Sequence, residues 1–166
     1  MLKIFHASCK CGSLGYRFST AIPPFQWQVR KCICSFCSEQ RNHLHVSDPS
    51  GQVSYQISGL ANLHRYQFST KTADFLTCSN CNIYLGAIMS VQDTSFAVLN
   101  AEIIDLPMTL AKPILVSFDG ETAKQRIRRR SERWTPVVGS ELLLKGLKHI
   151  DKKQSGNFQI QPGRCD

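Results

Sequence analysis

Eight cysteines stand in this chain of 166 residues, and seven of them fall into three short groups. Cys9 and Cys11 form a CxC pair, Cys32, Cys34 and Cys37 form CxCxxC, and Cys78 and Cys81 form CxxC, while Cys165 stands apart. Residues two apart on an extended strand point to the same face, so a CxC pair can offer two sulfurs to one ion. A CxxC turn folds back within four residues and brings two thiolates to the roughly 2.3 Å bond length of zinc. Seven ligands are too many for one tetrahedral ion and one too few for two closed four-thiolate sites, so the count divides four and three. A closed site is structural because no position remains for a substrate, whereas three thiolates leave a fourth position open, as a reacting zinc requires. The middle group contains its own trio and the two-cysteine groups need each other. Cys9, Cys11, Cys78 and Cys81 are therefore assigned to a structural ion, and Cys32, Cys34 and Cys37 to a catalytic one.

Other thiol chemistry fits less well. Disulfides need an oxidising compartment, and near neighbours such as Cys9 and Cys11 are poorly placed for unstrained bridges. A redox CxxC expects a thioredoxin-like βαβ context, which is not apparent around Cys78. An iron–sulfur cluster could use the same thiolates, so the metal stays open on this point, with zinc favoured. No window approaches the roughly 18 consecutive apolar residues of a membrane helix, and residues 1–8 lack the apolar stretch of a secretory signal. The expectation is a cytoplasmic protein with no membrane partner.

The elements that must position these sulfurs read as mainly β. The length fits one domain, expected over residues 1–153, followed by a polar tail over 154–166. Alternating or apolar runs predict strands at 14–19, 25–31, 74–77, 83–91, 96–99 and 114–118, and a hairpin joining 52–58 to 63–69. Residues 48–51 carry Pro and Gly and predict a turn. Helical segments are short: one turn or a loop over 38–42, and a mostly solvent-facing helix over 121–133, where apolar residues are few. Residues 142–147 fit a short strand or a short helix.

The formal charge is +8, and residues 124–153 hold ten Lys or Arg against three Asp or Glu, so nearly all of the excess sits there. Such a segment attracts anions, carboxylates and phosphates included. Arg128, Arg129, Arg130 and Arg133, with Trp134 beside them, form a candidate anion-binding segment whose plainer reading is a solvated surface. Aromatic residues are not interleaved with this run as a single-strand stacking platform requires, which makes nucleic acid an unlikely partner. His6, His43, His45 and His64 are candidate proton carriers, none of them assigned a role.

The ordered set SCKCG at 8–12, CICSFC at 32–37 and CSNC at 78–81 resembles the glutathione-dependent formaldehyde-activating enzyme family, whose pattern is CxCG, CxCSxC and CxxC in that order. The likeness covers roughly residues 7–90 and fills all seven metal positions. Asn82 stands where the family usually places Gly, and Lys10 where His is common. The resemblance implies a β-tent fold of antiparallel sheets stapled by zinc. It implies a structural ion at Cys9, Cys11, Cys78 and Cys81 and a catalytic ion at Cys32, Cys34 and Cys37. The family's activity is that of a carbon–sulfur lyase that joins glutathione, a small thiol, to formaldehyde, a small aldehyde. The alternative expectation is a zinc-stabilised binding module for nucleic acid or a protein partner, without catalysis.

Overall fold

Leu14, Tyr16 and Phe18 alternate along β2 (Leu14–Thr20) and are fully buried, which makes this strand the spine of a small sheet. It pairs antiparallel with β1 (Lys3–Ser8) on one side and with β5 (Gln52–Ile57) on the other. The computed structural model describes residues 1–33, 43–67 and 70–154, with the side chains of 149–154 left aside. The protein is mainly β, and the sheets are antiparallel apart from one parallel pairing.

A second, larger sheet carries β3 (Arg30–Cys32), β4 (Leu44–Val46), β6 (Leu63–Tyr66), β7 (Asp74–Cys78), β8 (Tyr84–Val91), β9 (Thr94–Asn100) and β10 (Ile114–Val116). Its order is β10-β3-β4-β9-β8-β7-β6, with the two-residue β11 (Thr135–Pro136) paired to β9 outside that path. The parallel pair is β10 with β3. Among the described residues two α-helices complete the fold: α1 (Ala123–Arg133) and α2 (Glu141–Gln154).

The large sheet buries both faces. Leu76, Leu85, Ile88 and Leu99 join Leu14, Tyr16, Phe18 and Val53 of the small sheet in the main core. Phe75, Tyr84, Ala87, Met89 and Val98 face the other way and pack around Trp134 at the end of α1. On an unbroken strand Tyr84 and Ala87 would point to opposite faces. A bulge in β8 reconciles them: Leu76 pairs with Gly86 and the next residue, Thr77, with Tyr84, so Leu85 is the extra residue. Gly86 adopts φ +133, and a Cβ there would lie 2.2 Å from the Val98 carbonyl oxygen, so no other residue fits without moving the backbone.

Several expectations change against this architecture. Residues 52–58 and 63–69 do not form a hairpin, because β5 pairs with β2 in the small sheet and β6 with β7 in the large one. The connection between them, a 3-10 turn at Leu60–Asn62, crosses from sheet to sheet. Pro24 starts another 3-10 turn at Pro24–Gln26, so the strand expected over 25–31 is shortened to β3. Residues 142–147 are helical, within α2. The stretch 38–42, the residues 155–166 of the expected tail, and Cys34, Cys37 and Cys165 lie outside the described residues.

Candidate metal centre and a cleft

Two tight turns present the first set of sulfurs. Between β1 and β2, the Cys9 N–H donates to the Leu14 carbonyl at 2.9 Å and the Gly12 N–H to the Cys9 carbonyl at 3.0 Å. Between β7 and β8, the Cys78 N–H donates to the Ile83 carbonyl at 2.9 Å and the Asn82 N–H to the Cys78 carbonyl at 2.8 Å. Each turn thus closes on its first cysteine with the same bond to the residue five positions on. Each also needs one left-handed residue: Gly12 at φ +77 and Asn82 at φ +59. Asn is, after Gly, among the residues that tolerate this conformation best, so Asn82 keeps the turn.

The two turns meet. The Sγ atoms of Cys9, Cys11, Cys78 and Cys81 all lie within 4.8 Å of one another, and the Cys9–Cys11 and Cys11–Cys78 pairs are at 3.5 Å. None of the four is in a disulfide. Four sulfurs around a tetrahedral ion at a 2.3 Å bond length are about 3.8 Å apart, so the cluster has the size and the soft donors to hold a metal ion. Cys9 and Cys78 are buried, whereas Cys11 is exposed. The connector between β5 and β6 braces the site: Ser58 and Gly59 N–H groups donate to the Ser13 carbonyl, and the Ser79 N–H to the Asn62 carbonyl at 2.8 Å.

The thiols differ sharply in proton affinity. A hydrogen bond with the Ser13 hydroxyl, followed by one from Asn80, draws the Cys11 thiol down to about 5, and Ser13 in turn accepts from the Asn62 amide at 2.8 Å. Burial pushes Cys78 up to about 12. For Cys81, burial works against ionisation, but hydrogen bonds from the Cys11 and Ile83 backbones outweigh it and hold the thiol below its ordinary value. A cation that binds here must displace the proton of Cys78, so its affinity falls with acid.

Cys32, the described member of the other cysteine group, lies on the opposite face of the large sheet. Arg30 and Cys32 are two apart on β3 and point to the same side, where Val116 of β10 is paired with Cys32 and His45 of β4 with Arg30. Together with Phe75 and Val98 they floor a cleft of about 480 Å³, part of it open to solvent, walled by Phe118, Arg129 and Trp134. Cys32 is buried at the floor. Its expected co-ligands Cys34 and Cys37 fall outside the described residues, so the trio is represented by one member.

The polar side chains His45, Arg129 and Arg30 of the cleft each have a partner of their own. His45 Nε2 is 2.8 Å from the Tyr84 hydroxyl, and burial, with His43 and Arg30 close by, lowers the His45 pKa to about 3, so the imidazole is neutral at physiological pH. The His43 ring stacks on Tyr84 at 4.3 Å. Arg129 makes a two-oxygen ion pair with Glu121 at 2.9 and 3.2 Å and lies over the Phe118 ring at 3.6 Å. Arg30 donates to the Ser47 hydroxyl.

Helix α1 sorts the arginine run by face. Arg126 and Arg130 are buried, with Trp134 one further turn along the same face, and Arg130 reaches Thr72 at 2.6 Å. Arg128 is exposed and paired with Glu132. Only Arg129 of this run lines the cleft. The helix expected to be mostly solvent-facing therefore buries two guanidinium-bearing side chains, whose aliphatic stems supply the apolar contact that the sequence lacks. Arg30 is the site residue that the sequence reading missed, although its spacing from Cys32 carries the signal, and His45 is one of the four histidines named there as candidate proton carriers without an assigned role.

No protein family matches the chain, and no curated protein matches it. It is similar to the crystal structure of a Rhodobacter sphaeroides protein from a structural-genomics programme, at 24% identity and a TM-score of 0.51 over 67% of this chain and 99% of that one. No helix among the described residues is long and apolar enough to cross a membrane. The likeness to the Rhodobacter protein is one of fold.

Proposed function

We propose that this chain is a zinc-dependent enzyme of the carbon–sulfur lyase class, similar to the glutathione-dependent formaldehyde-activating enzymes, that joins a small thiol such as glutathione to a small aldehyde such as formaldehyde. Cys32, Cys34 and Cys37 would hold the catalytic ion, and Cys9, Cys11, Cys78 and Cys81 the structural one. The observation that carries this reading is the cleft, which gathers Cys32, the His45–Tyr84 pair and two arginines on one face of the sheet. When bound, zinc supplies an acidified thiol, since coordination lowers a thiol pKa below neutrality.

The chain's own residues supply the rest. Arg30 and Arg129 hold an anionic group of the incoming molecule. Phe75, Phe118 and Trp134 exclude water from the reacting atoms. In the reaction the sulfur bonds to the carbonyl carbon, and the proton lost by the thiol is regained at the former carbonyl oxygen. The neutral His45 and the Tyr84 hydroxyl hold a proton at that side of the cleft and can exchange it.

The test combines metal analysis with exchange spectroscopy on glutathione and ¹³C-formaldehyde. The wild type is expected to carry two zinc ions and to accelerate formation of the hemithioacetal, and Cys34→Ser to carry one and lose the acceleration. A wild type with two ions and no acceleration would overturn the proposal.

A further inference from the structure

The Arg30 guanidinium is half-buried among like charges. Two further arginines, Arg129 and Arg133, act on it electrostatically, and its hydrogen-bond partner, Ser47, is neutral. No carboxylate pairs with it among the described residues. A cation held partly out of water with no carboxylate partner is stabilised by an incoming anion.

The walls narrow the identity of that anion. Beyond Arg30, Arg129, His45 and Cys32, the described lining is aliphatic and aromatic. It has no acidic side chain that could accept an ammonium group, and Glu121, which lies beside the cleft, is taken up by Arg129. A zwitterion would bury an unpaired cation there, and a phosphate would leave the apolar wall uncovered.

We infer that the cleft selects an organic monocarboxylate with a compact apolar body, its carboxylate on Arg30 and its body against Phe75, Val98 and Trp134. The inference deepens the function proposed above and rests on the cleft being the substrate site. The preferred thiol or aldehyde would then be a small acid of this type, with its reacting end toward Cys32, and glutathione, a zwitterionic tripeptide, a slower substrate of the same site. Arg129 takes a secondary part because Glu121 already neutralises it.

Isothermal titration of the zinc-loaded protein with benzoate, benzamide and inorganic phosphate tests this without turnover. Benzoate is expected to bind at least tenfold more tightly than either of the others. Arg30→Gln, checked for an unchanged melting transition, should lose at least tenfold in benzoate affinity, and Arg128→Gln, on the exposed face of α1, should lose none. Glu121→Gln releases Arg129 and should strengthen benzoate binding severalfold, an outcome that misfolding cannot imitate. Benzamide equal to benzoate, phosphate equal to benzoate, or Glu121→Gln without a gain would each overturn the inference. Benzoate binding without hemithioacetal formation would remove the proposed reaction and leave the inference standing, while catalysis with glutathione and no benzoate binding would do the reverse.

Discussion

At the scale of single residues, chemistry and backbone conformation have to agree, and Asn82 is where they do so most narrowly. Its φ of +59 closes the turn that presents Cys78 and Cys81. Asn82→Gly should leave the melting temperature level or slightly raised, whereas Asn82→Val should cost about 1–2 kcal/mol because a β-branched side chain clashes in the left-handed region. Denaturant unfolding of the two variants separates these outcomes. A second residue-scale prediction concerns alkali. Tyr16 is fully buried and donates to the Asn100 carbonyl at 2.7 Å, and burial, with Tyr55 and Tyr84 nearby, raises its pKa. The folded state therefore keeps a proton that the unfolded chain releases near pH 10. The stability from this group is present in full below that value and drains away above it, by at most about 1.4 kcal/mol per pH unit. Tyr16→Phe is expected to be less stable at pH 8, having lost the hydrogen bond, and to show a shallower decline between pH 10 and 11.5.

The cysteine pairs of the four-sulfur cluster were legible at this scale because each pair is local: two or three residues of chain fix where two sulfurs point. Arg30 and His45 were not, since their meeting depends on the pairing of β3 with β4 across 15 residues of sequence separation. Hydrophobic periodicity reports which face a residue occupies and not which strand lies beside it.

At the scale of elements, β8 connects the core to the cleft. Its run of buried residues reads as a strand from sequence alone, but periodicity cannot place the bulge at Leu85 that turns Tyr84 toward His45. Gly86 is the visible trace of that bulge. Gly86→Ala would set a Cβ 2.2 Å from the Val98 oxygen, so the strand pair must shift. The expected cost is about 2 kcal/mol or more, with loss of the His45–Tyr84 contact, read as a change in the His45 ring resonances. The missed crossover between β5 and β6 has a related cause. Two alternating runs joined by a Gly-containing connection carry the mark of a hairpin, and only the partners β2 and β7 reveal that they belong to different sheets. Helix α1 shows the converse: a segment poor in apolar residues packs all the same, because Arg126 and Arg130 lay their stems on the face that ends in Trp134. Part of the basic excess is thereby internal or ion-paired, which leaves less of it as an outward patch for a polyanion.

At the scale of the whole molecule, the four-cysteine cluster is a bond between sheets. Cys9 and Cys11 come from the end of the small sheet and Cys78 and Cys81 from the turn of the large one, and the same ends share the Ser13 and Asn62 bridges. A metal ion held there closes a loop of almost 70 residues, from the first turn to the second, and its binding energy is folding energy. The cleft, by contrast, sits on the far face of the large sheet, away from this junction, so an ion bound at Cys32 would not hold the sheets together. The two groups should therefore fail differently. Cys78→Ser is expected to abolish the cooperative melting transition or lower it by tens of degrees, and Cys34→Ser to lose about one zinc equivalent with the transition nearly unmoved. Stepwise chelation followed by circular dichroism gives an independent reading: on the function proposed above, the ion at the Cys32 group should leave first with the sheet signal intact, and unfolding should accompany loss of the ion at the four-cysteine cluster. Equal destabilisation by the two substitutions would mean that the sulfurs are not divided into one site that builds the fold and one that uses it.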